Sequence, residues 1–323
     1  MTVPKVSVVM PVYQVEEYIE ESVRSVCRQT LRDFELILIN DGTEDASIEN
    51  ALQVLVGFGD LNWRVINQEN RGVSAARNAG ITAAIGEYVI CIDPDDTIAP
   101  ELLEVLYNGC VSTNANAAFC HCNFVNRKTM MTFKEFSGYN LLKMDEIVRR
   151  YLIHKIVIVA PAVMIRRELL IDKALYFCEE CRFSEDIHFI WRLLFICETI
   201  CLVPDRLYNY LSRPDSIMTS SCFEKILTGW KTYLSLPQEL LAIAPSYEKW
   251  IKLILPRWIL GVLHASANLL DYPTFHKLAL SMNYRHNVKK LFTFPDIRIK
   301  ILAGLVFLNL RLFYLLFRKM HVR

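Results

Sequence analysis

The stretch RGVSAARNAGITAAIGEYVICIDPDDTIAPELL, residues 71–103, decides how the fold is read. Gly72 leads into a helix over Val73 to Ile85, a tight turn follows, and Tyr88 to Ile92 is an apolar run suited to a strand buried on both faces. Three carboxylates then fall within four positions: Asp93, Asp95 and Asp96. Like charges this close raise one another's pKa unless a cation compensates. Hard oxygen donors of this kind suit Mg²⁺ or Mn²⁺. Pro94 has no N–H and stops the strand, which presents the carboxylates at the rim. Open α/β sheets bind ligands at the carboxyl ends of their strands. The cluster therefore reads as a metal-assisted site and not as a solvated acidic loop.

The flanking sequence repeats the same alternation. Val6 to Val12, Phe34 to Ile39 and Trp63 to Ile66 read as strands, with helices over 16–29 and 47–56 between them. Pro100 opens a further helix, since proline is tolerated in a first turn. This order implies right-handed βαβ units and an α/β fold, with a mostly parallel sheet flanked by helices. Later, Ala117 to Val125 and Ile156 to Ile165 read as strands and Phe189 to Ile196 as a helix. From about Cys222 the chain reads as a helical C-terminal extension rich in Leu, Ile and Trp.

Hydrophobic residues make up 53% of the 323, enough for a sizeable core. The net charge of +1 hides an asymmetry. Residues 285–323 hold nine Lys or Arg against one acid, Asp296, so the remainder is net −7. The basic residues of the tail alternate with aliphatics and form no polar stripe, which gives no support for nucleic-acid binding. The start, MTVPKVSVVMPVY, runs into a strand without the regions of a signal peptide. The ten cysteines accordingly read as reduced, cytoplasmic and mostly small buried hydrophobes. Cys178-x-x-Cys181 and Cys120-x-Cys122 are the close pairs. A zinc site needs two such pairs, or a pair with two histidines, and the spacings to Cys197, Cys201, His121 and His188 match no common pattern.

Polar segments gather where buried strands end. Asn40-Asp41-Gly42-Thr43 follows the second strand; Asp41 either accepts hydrogen bonds from a base or ribose, or makes an Asx turn. Gly72 and Ser74 place backbone donors at a helix start, which favours anions, with Arg77 and Asn78 one turn in. Phe183-Ser184-Glu185-Asp186 opens a helix, with Ser184 at the N-cap and acids in the first turn. Tyr208 to Met218 reads as a polar loop whose Arg213 could meet a diphosphate in forked geometry.

In order and spacing, VVMPVYQVEEYIEESVRSVCRQTLRDFELILINDGTEDAS, then residues 71–103, then FSEDIHFIWRLL and YNYLSRPDSIM resemble the inverting glycosyltransferases of family 2, which have the nucleotide-diphospho-sugar transferase (GT-A) fold. The resemblance covers roughly residues 5–220 and points to the type that builds bacterial surface polysaccharide. It implies a catalytic domain over 1–220, with a nucleotide-binding half over about 1–115 and an acceptor half over about 116–220. Residues 221–323 lie outside the resemblance and carry no assignable motif; their own sequence reads as a helical region, either membrane-associating or packed on the body. Pro11 to Tyr13 would line the nucleotide pocket, Asp41 would hold the base, and Arg77 would contact the nucleotide or its phosphates. Asp95 would bind Mn²⁺ or Mg²⁺, Asp93 would contact ribose or the metal shell, and Asp96 would orient the donor sugar. Asp186, with Glu185 beside it, would be the general base. Arg213 and Ser216 would close on the diphosphate. The family commonly has Asp-Asp-Gly-Ser where this chain has Asn40-Asp41-Gly42-Thr43.

The function so implied is metal-dependent, inverting transfer of a hexose from a nucleotide-sugar donor, expected to be a UDP-sugar, to a lipid-linked glycan acceptor. Two other readings remain. One is a non-catalytic membrane-associated scaffold derived from a transferase. The other is a haloacid-dehalogenase-type phosphatase using Asp93, whose Asp-x-Asp-x-Thr pattern should instead follow the first strand. No G-x-G-x-x-G follows that strand, which weakens a dehydrogenase. Ile301 to Phe317 is apolar but has only 17 residues and holds Asn309 and Arg311. A span needs about 20 mostly apolar residues, so the stretch reads as an interfacial helix on an anionic leaflet or as a core helix packed on the catalytic domain, the first reading fitting its basic flanks better. The protein would then lie peripherally on the inner face of the cell membrane.

Overall fold

A computed structural model of the protein describes residues 3–125, 136–181, 184–211 and 223–318. The chain divides into two compact units, Met1–Ile147 with Ile156–Thr219, and Val148–Lys155 with Ser220–Arg323.

Among the described residues, the first unit is built on one nine-stranded sheet. Its nucleus is β1 (Val6–Val12), β2 (Phe34–Asn40), β3 (Asn62–Asn67) and β4 (Tyr88–Cys91), connected through helices α1 (Ile19–Cys27), α2 (Ser47–Val56) and α3 (Val73–Ala83). β1 lies between β2 and β4, β2 also pairs β3, and all three pairings are parallel. β1 is buried along its whole length and β2 up to its last residue. Parallel strands that begin on one side end on the same rim. Val12 stands opposite Asn40, and Asn40 opposite Asn67. The chain leaves β4 beside them into Asp93.

Two glycines fix α3 against this nucleus, one by close approach and one by its backbone conformation. A Cβ on Gly80 would lie 2.1 Å from Val9 Cγ1, so only glycine lets the helix settle on β1. Gly72, just before α3, has φ +88°, a conformation that L side chains rarely adopt.

From residue 97 onward the sheet becomes mixed. β5 (Thr97–Ile98), β6 (Ala117–Val125), β7 (Asn140–Lys143), β8 (Val163–Arg166) and β9 (Thr199–Leu211) extend it in the order β4-β8-β6-β9-β5, with β7 also on β9. Antiparallel pairs join β4 to β8, β8 to β6, and β9 to β5 and β7, while β6 and β9 run parallel. The sheet is therefore wholly parallel across β3-β2-β1-β4 and mixed beyond β4. Helix α4 (Leu102–Thr113) leads into β6, and a short α6 (Arg167–Asp172) leads towards α7 (Glu185–Cys197); α5 (Met144–Leu152) precedes them. The stretch read as a strand over 156–165 is strand only at Val163 and beyond, because Pro161 sits in a 3-10 turn over Ala160–Ala162. Tyr208 to Leu211, read as the start of a loop, is the end of β9.

The second unit is helical: α8 (Phe223–Ile243), α9 (Glu248–Leu269), α10 (Tyr272–Ser281), α11 (Tyr284–Lys289), α12 (Ile297–Leu308) and α13 (Leu310–Arg318). Trp258 stacks on Trp230 and Tyr233, at 5.6 and 4.5 Å between centroids. The single helix expected over Ile301 to Phe317 is broken. Asn309 leaves helical geometry, its side chain accepts from Leu312 N at 2.9 Å, and α12 and α13 meet at 119°. An Asn that caps a new helix start competes with continuation of the old one. Among the described residues no single helix is long and apolar enough to cross a membrane.

Candidate active site

The strand ends β1, β2 and β4 and the start of α7 bring the sequence-predicted residues to one region of the first unit. Arg77, one turn into α3, is only 3% exposed and sits at its centre. Its Nη2 donates to Asp93 Oδ1 at 2.6 Å and its Nη1 to Asp186 Oδ1 at 2.7 Å. Its guanidinium lies 4.9 Å from the Phe177 ring centroid, a cation–π contact. The residue expected to meet the nucleotide is thus held by two carboxylates, one from each half of the site. Two opposed anions and two forked hydrogen bonds keep this buried cation charged against its desolvation.

Asp96 faces the other way. Its Oδ2 accepts from the Tyr208 hydroxyl and its Oδ1 from Leu211 N, both at 2.7 Å. Burial, then the charges of Asp93 and Asp95, push its carboxyl up to about 8. Asp96 is expected from sequence to touch the donor sugar, but here it ties the acid turn to β9. Tyr208 also accepts from Asp93 N at 3.3 Å. Asp95 is half-buried within the turn.

Asp41 is buried, and both its oxygens are occupied. Gln68 Nε2 and Arg71 N donate to Oδ1 at 2.7 and 2.9 Å, and Gly72 N to Oδ2 at 2.9 Å. It therefore shapes the loop that positions α3. The Asn40 amide donates to Asn67 Oδ1 at 2.9 Å and accepts from Thr43 N at 3.0 Å, a pairing that a carboxylate could only half satisfy. Pro11 is buried inside β1, beyond the last residue paired to β4, where its missing N–H breaks no bond to that strand. Tyr13, 42% exposed, stands at the rim instead.

Glu185 and Asp186 open α7. Burial first, and then the Asp186 charge, push Glu185 up to about 6. Asp186 is also raised, by desolvation, although Arg77 pulls it down and 40% of its side chain is open. Arg213 and Ser216 lie outside the described residues.

The donor set fits a divalent cation. Asp93 and Asp186 bind one buried cation, Arg77, whose charge Glu185 also feels, and Asp95 follows Asp93 in the same turn. Burial, and after it the charges of Asp93 and Asp95, raise Asp96 in the same turn. All these donors are hard oxygens. The acid turn follows the fourth strand in the chain and Thr97 enters β5, which removes the phosphatase reading.

The glycosyl transferase family 2 model matches residues 7–172. The chain belongs to glycosyl transferase family 2. The uncharacterized glycosyltransferase EpsJ of Bacillus subtilis is 33% identical over 219 residues, covering 67% of this chain and 63% of EpsJ, so the family 2 chain described here spans less than two thirds of that relative. Staphylococcus aureus TarS 1–349, solved in complex with UDP-GlcNAc, superposes with TM-score 0.68 at 22% identity, over 92% of this chain and 83% of that one. The mannosyltransferase PcManGT from Pyrobaculum calidifontis, solved with GDP-Man and Mn²⁺, gives 0.55 at 17%, over 96% and 89%. Both share the GT-A fold of this family 2 chain.

Two residues at this candidate site carry no local sequence signal: Tyr208 lies in a polar stretch with no motif role, and Phe177 belongs to no motif. Tyr208 shows its purpose only once β9 pairs β6 in parallel register and brings it under the acid turn.

A correction concerns the cysteines. Cys178 and Cys181 form a disulfide, with Cα atoms 5.2 Å apart. The turn that carries them brings residues i and i+3 within bridging range. Cys27, Cys91, Cys110, Cys120, Cys122, Cys197 and Cys201 are free and buried, and Cys222 lies outside the described residues.

Proposed function

We propose that this family 2 chain is a metal-dependent, inverting hexosyltransferase that uses a UDP-sugar and a hydroxyl of a lipid-linked glycan. The Arg77 bridge between Asp93 and Asp186 carries this reading, because it couples the donor-side acids to the candidate base. Asp95 and Asp93 would hold Mn²⁺ or Mg²⁺, which supplies Lewis-acid neutralisation of the leaving diphosphate. Tyr13 at the rim and the Asp41-shaped loop would border the nucleotide. UDP is the favoured nucleotide because TarS, of the same fold, was solved with UDP-GlcNAc. Arg213 and Ser216 would close on the diphosphate.

Asp186 would take the proton from the acceptor hydroxyl as that oxygen attacks the anomeric carbon. Arg77 holds one oxygen of Asp186, and 40% of the side chain stays open for the acceptor. Attack opposite the leaving group inverts the centre, so an α-linked donor gives a β-linked product. General-base help of this kind is worth roughly 10²–10⁴-fold. Glu185, raised towards neutrality, would add a hydrogen bond to the acceptor.

The outer face of α12 and α13 supports an acceptor presented on a membrane. Ile297, Ile301, Leu308, Leu312, Leu315 and Leu316 are exposed there, next to Arg298, Lys300, Arg311 and Arg318. Apolar residues edged by cations suit an anionic lipid surface. The protein would work at the inner face of the cell membrane in surface polysaccharide synthesis.

The test is release of UDP from a panel of UDP-sugars with membrane extract as acceptor. Release that needs Mn²⁺ or Mg²⁺ and is lost in Asp95→Ala supports the reading. Binding of UDP-sugar without release in any extract would favour a scaffold.

A further inference from the structure

We infer that Cys178, Cys181 and His188, once the cysteine pair is reduced, bind one zinc ion. The inference stands apart from the proposed transfer reaction. Sequence spacing argued against zinc because no second pair or second histidine lies in range. The fold supplies what spacing could not. The two Sγ atoms and an imidazole nitrogen of His188 all lie within 4.8 Å of one another.

The arrangement is prepared from both sides. Asn78 grips the segment before the cysteines through Nδ2 to Phe177 O at 2.9 Å and Oδ1 from Phe177 N at 2.8 Å. Arg71 holds Glu179 at 2.8 Å. The Phe177 ring stacks on Phe189, 4.0 Å between centroids and 2° between planes. Phe189 follows His188 directly in α7, so the stack that docks the segment on the helix also delivers the imidazole to the sulfurs. His188 is only 5% exposed, while both cysteines are half-buried.

Two thiolates and an imidazole are a soft to borderline donor set, which favours zinc over the hard cation of the acid cluster. Zinc takes sulfur at about 2.3 Å and nitrogen at about 2.0 Å in a tetrahedron, with water able to fill a fourth position. The half-buried cysteines leave solvent access for that water. The disulfide is the oxidised, metal-free form of the same pair. A low-molecular-weight thiol such as dithiothreitol adds two electrons and two protons to the S–S bond and leaves as its own disulfide. Zinc then displaces the two thiol protons. The bound ion would fasten the 178–181 turn to the helix that begins with Glu185 and Asp186, which makes the three ligands positioning residues.

The experiment uses the full chain purified with dithiothreitol and zinc, then gel-filtered and measured by plasma mass spectrometry. One zinc per chain is expected in the wild type and in Asp95→Ala, with at least a tenfold loss in Cys181→Ser and His188→Ala. Zinc retained in Cys181→Ser, or a wild type that carries none, overturns the inference. Because a variant could misfold, Co²⁺ is also titrated into the reduced wild type. A near-ultraviolet thiolate-to-cobalt band is expected, and its absence overturns the inference as well.

Discussion

Asp93 and Asp186 reach the site from a strand end and a helix start far apart in the sequence, yet both bind one guanidinium, at 2.6 and 2.7 Å from Arg77. Arg77 therefore sets the separation between the donor-side acids and the candidate base. Substitution by Gln removes a buried cation from between two anions. Breaking a buried pair costs about 3–5 kcal/mol, and the exposure of Asp186 puts the expected loss at about 3 kcal/mol. Urea unfolding checks this. Arg77 also lowers the Asp186 pKa, so the residual activity of Arg77→Gln should need a higher pH than that of the wild type.

Asp186→Asn tests the base directly. Turnover should fall roughly 10²–10⁴-fold, with UDP affinity within a fewfold of wild type. In the wild type, desolvation lifts Asp186 above the ordinary 3.8. A base works deprotonated, so turnover should fall as pH drops, with a midpoint above 3.8. Full turnover in Asp186→Asn would remove it from the role.

Glu185 carries a stability signature that weakens as pH rises. Its pKa is about 6 in the fold against 4.5 ordinarily, so the native state binds the proton more tightly. Its stabilising contribution is complete below pH 4.5 and is lost as pH rises through 6. In metal-free protein, Glu185→Gln should raise the melting temperature at pH 7 and change it little at pH 4.5. A variant destabilised at pH 7 would show that the charged form is the favoured one.

Glu35 is a structural counterpart, fully buried below the site. It accepts from Ser7 Oγ and Arg64 Nη1, both at 2.5 Å, and from Ile85 N at 2.9 Å, while Arg64 Nη2 donates to Ala83 O at 2.6 Å. This knot pins the end of α3 and the turn before β4. Glu35→Ala leaves these donors unmatched and should cost about 3 kcal/mol. Gly80→Ala forces a methyl into Val9 and should cost about 1–3 kcal/mol, lowering turnover as well because Arg77 lies one turn away. Thermal melts beside initial rates separate the two effects.

The nucleus of the fold was legible because β1, β2 and β4 are buried on both faces and read as unbroken apolar runs. β9 was not, because Pro204 and Asp205 interrupt it at a register shift against β6 and its last residues alternate polar and aromatic. β7 is a four-residue strand with little pattern. Arg77, Asp93 and Asp186 were each legible as candidates from their segments. Their mutual bonding was not, since contacts between distant segments leave no local periodicity. The same holds for Asp41 and Asp96, whose carboxylates proved to be bound to backbone, Gln68 and Tyr208, and for His188, which α7 brings beside the cysteines.

Truncation at residue 296 tests the membrane surface. The full chain should sediment with vesicles containing anionic lipid and less so in high salt, and the truncated chain should stay in the supernatant. Equal sedimentation of both would place membrane attachment elsewhere.

The most direct test of the central claim is calorimetric titration of UDP and GDP into the wild type with Mn²⁺, into the wild type with EDTA, and into Asp95→Ala with Mn²⁺. UDP binding that disappears with EDTA and in Asp95→Ala is the expected result. UDP binding of equal strength in all three, or no binding of either nucleotide, would contradict a metal-dependent UDP-sugar site at Asp95.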